Sequence, residues 1–146
     1  MDETGFLNVA DALSTGDTEA DWRSAISRAY YAAFHKARRL LLLSGFRTPR
    51  ADQAHAYLWL RLSNSGHPDV NNAGRDLNHL RGSRNRADYD FDTPIGQMEA
   101  LDLVQSATDI IQLLDTLAKE PAILARVLDA IKVYERDVLR EATWHP

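Results

Sequence analysis

The sequence predicts an all-α protein, an up-and-down bundle of about five to six helices forming a single domain over residues 1–146. Three observations carry this expectation. Apolar residues recur at three- and four-residue steps through nearly every segment, and no period-two alternation of the kind a strand needs competes with them. The breaks between segments fall at helix-ending signals: Gly16-Asp17, Gly45, the loop Ser63-Asn64-Ser65-Gly66-His67-Pro68, and Pro121. Finally, 146 residues with 45% hydrophobic content can bury one core without disulfides.

In chain order, a short helix spans about Phe6 to Leu13. A long second helix runs from about Trp22 to Ser44, with Gly45 at its carboxyl end. Its core stripe is Trp22, Ile26, Ala29, Ala33, Ala37 and Leu40, widened by Tyr30, Phe34 and Leu41. Roughly opposite, Arg28, Tyr31, His35 and Arg39 recur at the same steps and make a second, polar and aromatic face. The third helix covers Ala51 to Leu62. A fourth, from near Val70, buries Ala73, Leu77 and Leu80 and leaves Arg75, Asn78, Gly82, Asn85 and Tyr89 on another line. Glycine inside a helix costs about 1 kcal/mol relative to alanine, so Gly82 suggests close approach by a backbone or a ligand. Thr93-Pro94 reads as an N-cap and first-turn proline opening a fifth helix to about Lys119. Its stripe runs Ala100, Leu103, Val104, Ala107, Ile110, Ile111, Leu114 and Leu117. A last helix, about 121–142, repeats the design with Leu124, Val127, Leu128, Ile131, Tyr134 and Val138. Trp22, Trp59 and Trp144 read as anchors between helices, since no basic groove surrounds them.

Composition narrows the function. The absence of cysteine removes disulfides and thiolate zinc sites, and the histidines show no ligand spacing, so neither metal nor cofactor is expected. The acidic start Met1-Asp2-Glu3 is unlike a secretory signal, and the run Leu40 to Leu43 is too short to span a bilayer, so the expectation is a cytoplasmic protein with no membrane contact. A net charge of −4 argues against nonspecific coating of nucleic acid. Yet Arg75, Arg81, Arg84 and Arg86 crowd one segment, so any phosphate site is local.

The run Arg84-Asn85-Arg86-Ala87-Asp88-Tyr89-Asp90 is the densest set of hydrogen-bonding groups in the chain. A guanidinium fork takes phosphate bidentately, an asparagine amide both donates and accepts, and a tyrosine phenol can stack or bond. Arg84 and Asp88, four apart, equally fit a surface ion pair worth about 0.2–0.5 kcal/mol.

Two blocks together resemble the HEPN family (higher eukaryotes and prokaryotes nucleotide-binding). One is Ser27-Arg28-Ala29-Tyr30-Tyr31-Ala32-Ala33-Phe34-His35-Lys36-Ala37, which is similar to that family's tyrosine-pair signature; the other is Leu80 through Asp90. The resemblance covers roughly Trp22 to Leu117 and leaves the final helix as an extension. It implies a helical bundle, usually a homodimer that joins two arginine motifs, often beside a minimal nucleotidyltransferase in toxin–antitoxin or phage-defence modules. Many members are metal-independent endoribonucleases with an arginine followed four to six residues later by histidine. Here Arg84 and Asn85 match the start of that motif, and Tyr89 stands in the histidine's place.

The leading expectation is therefore a module that binds RNA or a nucleotide through Arg84, Asn85 and Tyr89, with Arg28, Tyr31, Arg81, Arg86 and Asp88 around them. The second is an endoribonuclease using Arg84 with a displaced histidine, His35 or His79. The third is a plain helical dimerisation scaffold.

Overall fold

Thr18 and Asp21 form a capping box that starts the longest helix: Asp21 N donates to Thr18 Oγ1 at 3.1 Å and Thr18 N to Asp21 Oδ2 at 3.4 Å. That helix, α2 (Glu19–Leu43), is the central rod of a bundle with α1 (Glu3–Ser14), α3 (Gln53–Ser63), α4 (Pro68–Tyr89), α5 (Gln97–Ala118) and α6 (Pro121–Tyr134). The structure, a computed structural model, describes residues 1–146. α1, α4 and α5 all pack on α2, and α3 packs mainly on α4. The fold is all-α, as the apolar periodicity requires.

The stripes read from the sequence form the core. Ile26, Ala29, Tyr30, Ala33 and Ala37 on α2 are almost wholly buried, as is the complete α5 stripe from Ala100 to Leu117. Alanines on α2 let α1, α4 and α5 approach closely, while Leu77, Leu80, Ile110 and Leu114 fill the space between. Trp22 does anchor a joint, its Nε1 donating to Gly16 O at 2.9 Å.

Four local expectations are corrected. Helix α5 begins at Gln97, capped by Gly96, and not at Thr93-Pro94. The reason is long-range: Arg23 Nη2 donates to Thr93 O at 2.8 Å and Ile95 N to Glu19 Oε1 at 2.8 Å, pinning the segment along the start of α2 while Ile95 is buried. Helix α3 starts at Gln53 because Ala51 sits in the left-handed region, φ 58°. The last helix ends at Tyr134 and widens into a π turn, Glu135–Leu139, followed by Arg140 at φ 58°. Val138, assigned to the core stripe, is exposed, because the chain turns to bury Glu135 instead.

The fourth correction concerns glycine. A Cβ on Gly82 would meet nothing within 4 Å, whereas one on Gly74 would lie 2.4 Å from Ser63 N and 2.6 Å from Ser63 Oγ. Gly74 is thus where α3 crosses α4 backbone to backbone, and Gly82 lies on an open face. Gly74→Ala is expected to cost about 1–3 kcal/mol by overpacking, while Gly82→Ala stabilises the isolated fold by up to about 1 kcal/mol. Urea midpoints of the two variants, measured side by side, check both signs.

The carboxyl-terminal segment returns to the bundle. Phe46 and Trp144 form a short bridge, His145 N donates to Gly45 O at 2.8 Å, and Trp144 Nε1 donates to Ser44 O at 3.0 Å. Lys132 Nζ stands 3.6 Å from the Trp144 ring centroid. No helix is long and apolar enough to cross a membrane.

Candidate functional site

The end of α4 is fixed by a residue outside it. Arg23 Nη1 donates to the carbonyls of Arg86, Ala87 and Asp90 at 3.2, 3.0 and 2.7 Å, satisfying the last turn of α4 from α2. Asp90 Oδ1 accepts from Asp92 N and Thr93 N and closes the turn that follows. The register between α2 and α4 is thereby fixed where both arginine- and tyrosine-bearing faces meet.

Arg84 lies at that meeting line. It is 8% exposed, and its Cζ is 5.3 Å from the Tyr31 ring centroid and 5.7 Å from that of Tyr30. Its Nη1 reaches Asp88 Oδ2 at only 3.7 Å, and its Nε is buried with no hydrogen-bond partner. Asp88 is held in turn by Ser27 Oγ at 3.2 Å. The i,i+4 pair anticipated as a bland alternative therefore exists, but it leaves the guanidinium short of partners. A guanidinium so placed has donor capacity that the fold leaves unused.

Beneath Arg84 the aromatic cluster holds a histidine. Tyr30 Oη and His55 Nδ1 are 2.5 Å apart, and Tyr30, Tyr31 and Phe34 surround the imidazole with centroid separations of 4.9–6.3 Å. Burial pushes the Tyr30 phenol well above its ordinary range, so it stays neutral. Burial also lowers the His55 pKa, and the charges of Arg81 and Arg84 lower it further. A neutral His55 offers Nε2 as an N–H donor when Tyr30 donates to Nδ1, or as a base when Nδ1–H donates to Tyr30.

The other residues singled out in the sequence lie around this cluster or away from it. Arg28 sits between two rings, 4.8 Å from the Phe6 centroid and 5.3 Å from that of Tyr31. His35 is exposed one turn further along α2, against Phe34 and Phe6 at 5.1 and 5.8 Å. Partial desolvation, then Arg38 and Arg28, lower its pKa, opposed by Glu3. Asn85 and Tyr89 share the exposed line of α4, with Tyr89 77% exposed. Arg86 points elsewhere, paired with Glu99 of α5. His79 is exposed on α4, five residues and about 140° around the helix from Arg84.

Two participants escaped the sequence reading. His55 carried a signal, since it precedes Leu58 and Leu62 on the buried line of α3, where a hydrophobe is expected. Arg23 carried none, because its carbonyl partners lie 63 to 70 residues away. No three His, Asp or Glu side chains converge as a metal site.

The lowering of the His55 and His35 pKa on folding gives a pH dependence with a definite sign. A histidine that resists protonation when folded, but takes a proton near 6.5 when unfolded, favours unfolding as pH falls below that value. Stability is accordingly expected to decline as pH drops from 7 toward 5. In His55→Gln that decline should be shallower, read from urea midpoints across the range.

A tyrosine pair on α2 thus flanks an arginine on α4 within an all-helical bundle. Residues 6–117 match the model of a family described as the HEPN domain, and the chain belongs to that family. The match takes in α1 as well as the two motif helices, and leaves α6 and the returning tail outside it. No curated protein and no solved structure matches the chain.

Proposed function

We propose that the protein binds RNA or a nucleotide at Arg84, as a homodimer, and works with a nucleotidyltransferase partner in a toxin–antitoxin or phage-defence pair. The observation that carries this reading is the buried Arg84 guanidinium, with an unpartnered Nε and a single long carboxylate contact. Arg84 holds phosphate, Asn85 orients it from the exposed line, and Tyr89 contacts base or sugar. Tyr89, being exposed, is also the phenol that an adenylylating partner would reach. Dimerisation is supported by the open Gly82 face and by exposed Tyr89, Phe91 and Met98 around the end of α4.

A second reading, a metal-independent endoribonuclease, is favoured by His55. Neither His35 nor His79 shares the Arg84 contact, whereas His55 is held by the same Tyr30 that faces Arg84. In that reading Nδ1–H donates to Tyr30, Nε2 accepts the 2′-hydroxyl proton as the 2′-oxygen attacks phosphorus, and the P–O5′ bond breaks to leave a 2′,3′-cyclic phosphate and a 5′-hydroxyl that takes its proton from water.

One experiment separates the readings: wild type and Arg84→Ala are incubated with mixed RNA in EDTA, and bound and cut RNA are both measured. Binding without fragments that disappears in Arg84→Ala supports the module. Arg84-dependent fragments support the nuclease. An Arg84→Ala protein that behaves like wild type overturns both.

A further inference from the structure

The cleft between the start of α1 and the second half of α2 shares Phe6 and His35 with the residues described so far at the site. It encloses about 670 Å³ and is lined by Met1, Asp2, Glu3, Phe6, His35, Arg38, Arg39 and Leu42, a size within the roughly 300–1,000 Å³ typical of ligand sites. It is joined to Arg84 by a continuous chain of cations and rings. Arg84 lies over Tyr31, Tyr31 faces Arg28, Arg28 lies over Phe6, and Phe6 packs on His35 at the cleft's wall.

We infer that this cleft is the subsite for the part of a single-stranded RNA that runs on from the phosphate held at Arg84. The inference rests on the Arg84 reading and extends it from a nucleotide to a strand. Alternating flat rings and guanidinium groups suit unpaired bases and their backbone, because every base has a face to stack and every phosphate a charge to meet. From Arg28 to Arg38 the path covers about 15 Å of helix, too long for a single nucleotide.

The charges in the cleft divide unevenly. Glu3 is occupied by Lys36 at 3.2 Å and Arg39 at 3.7 Å, and Asp2 caps α1 by accepting from Thr4 N at 2.9 Å. Arg38 is left without a carboxylate partner, so it is the phosphate-binding group of the subsite, with Phe6 and His35 as the stacking surface. Duplex RNA is excluded from this role, since its bases present no free faces to Phe6 and His35.

The test uses fluorescence anisotropy with two single-stranded probes, a mixed-sequence ribo-octamer and a ribodinucleotide, and an octamer duplex for comparison, on wild type, Arg38→Glu, Phe6→Leu and Arg84→Ala. Phe6→Leu keeps apolar packing but removes the ring. The expected result is about tenfold weaker octamer binding in Arg38→Glu and Phe6→Leu, with dinucleotide binding unchanged. The salt dependence in Arg38→Glu should flatten by about 0.7, the share of one phosphate on a single strand. Unchanged octamer binding in both cleft variants overturns the subsite, as does equal affinity for an octamer duplex. Arg84→Ala is expected to weaken both probes; if it weakens neither, the Arg84 reading fails, independently of the cleft variants.

Discussion

Arg61→Ala is expected to destabilise the protein by about 3–5 kcal/mol, the scale on which removal of one partner strands a buried charge. Arg61 and Glu135 are 2% and 1% exposed, and Arg61 Nε donates to Glu135 Oε2 at 2.8 Å. Arg61 Nη2 also reaches Glu141 Oε1 at 2.5 Å, and its Cζ lies 3.5 Å from the Tyr57 ring centroid. Glu135 in turn accepts from Thr143 N at 3.0 Å and from Thr143 Oγ1, while Tyr57 Oη bonds Thr143 Oγ1. One arginine on α3 therefore organises the π turn and the tail behind it. With alanine there, the buried Glu135 carboxylate loses the cation that compensates it. Domains of this size have about 5–15 kcal/mol in total, so the variant approaches the edge of folding. Urea denaturation measures the loss, and faster trypsin cleavage at Arg136 and Arg140 reports release of the tail. The double variant Arg61→Met with Glu135→Leu removes both charges and should recover more than half of the loss. A loss below about 1 kcal/mol in Arg61→Ala would contradict the buried cluster.

That cluster also shows where sequence reading stops. The apolar stripes of α2 and α5 were legible because burial at helical spacing needs only the local pattern, and every α5 position from Ala100 to Leu117 named in advance is buried. The end of the last helix was not legible. Its pattern continues through Val138, but the pull of Arg61 on Glu135, 74 residues apart, overrides it. The same cause displaced the start of α5, where Arg23 and Glu19 tie down the segment that looked like a cap. In the candidate site, Arg84 could be named because it stands in a dense run of hydrogen-bonding residues, and the tyrosine pair because it resembles a family signature. His55 could not be joined to them, since nothing local tells that α3 delivers its ring against Tyr30. Arg86 illustrates the converse: a motif arginine whose partner Glu99 lies on α5.

Arg84→Ala should weaken nucleotide or RNA binding by about ten- to a hundredfold while leaving the fold almost unchanged. A hydrogen bond to a charged group contributes about 1.5–3 kcal/mol, and each 1.4 kcal/mol is a factor of ten in affinity. The structural cost is small by comparison. An i,i+4 pair such as Arg84 with Asp88 is worth about 0.3–0.5 kcal/mol, and removing a guanidinium with a buried, unpartnered Nε relieves a desolvation cost. Arg84→Lys keeps the charge but loses the fork, so it should recover only part of the affinity. Asp88→Asn tests the site from the other side. Asp88 is the only carboxylate in reach of Arg84, a resident anion that an incoming phosphate must displace. Neutralising it should tighten binding several-fold at low salt, with the gain shrinking as salt screens the competition. Titrations of all four proteins, paired with urea midpoints, separate a ligand-binding arginine from a packing one. A packing Arg84 would give unchanged binding and a stability loss above about 2 kcal/mol in Arg84→Ala. A ligand-binding Arg84 gives the opposite pair of results, because its guanidinium is incompletely satisfied until an anion arrives.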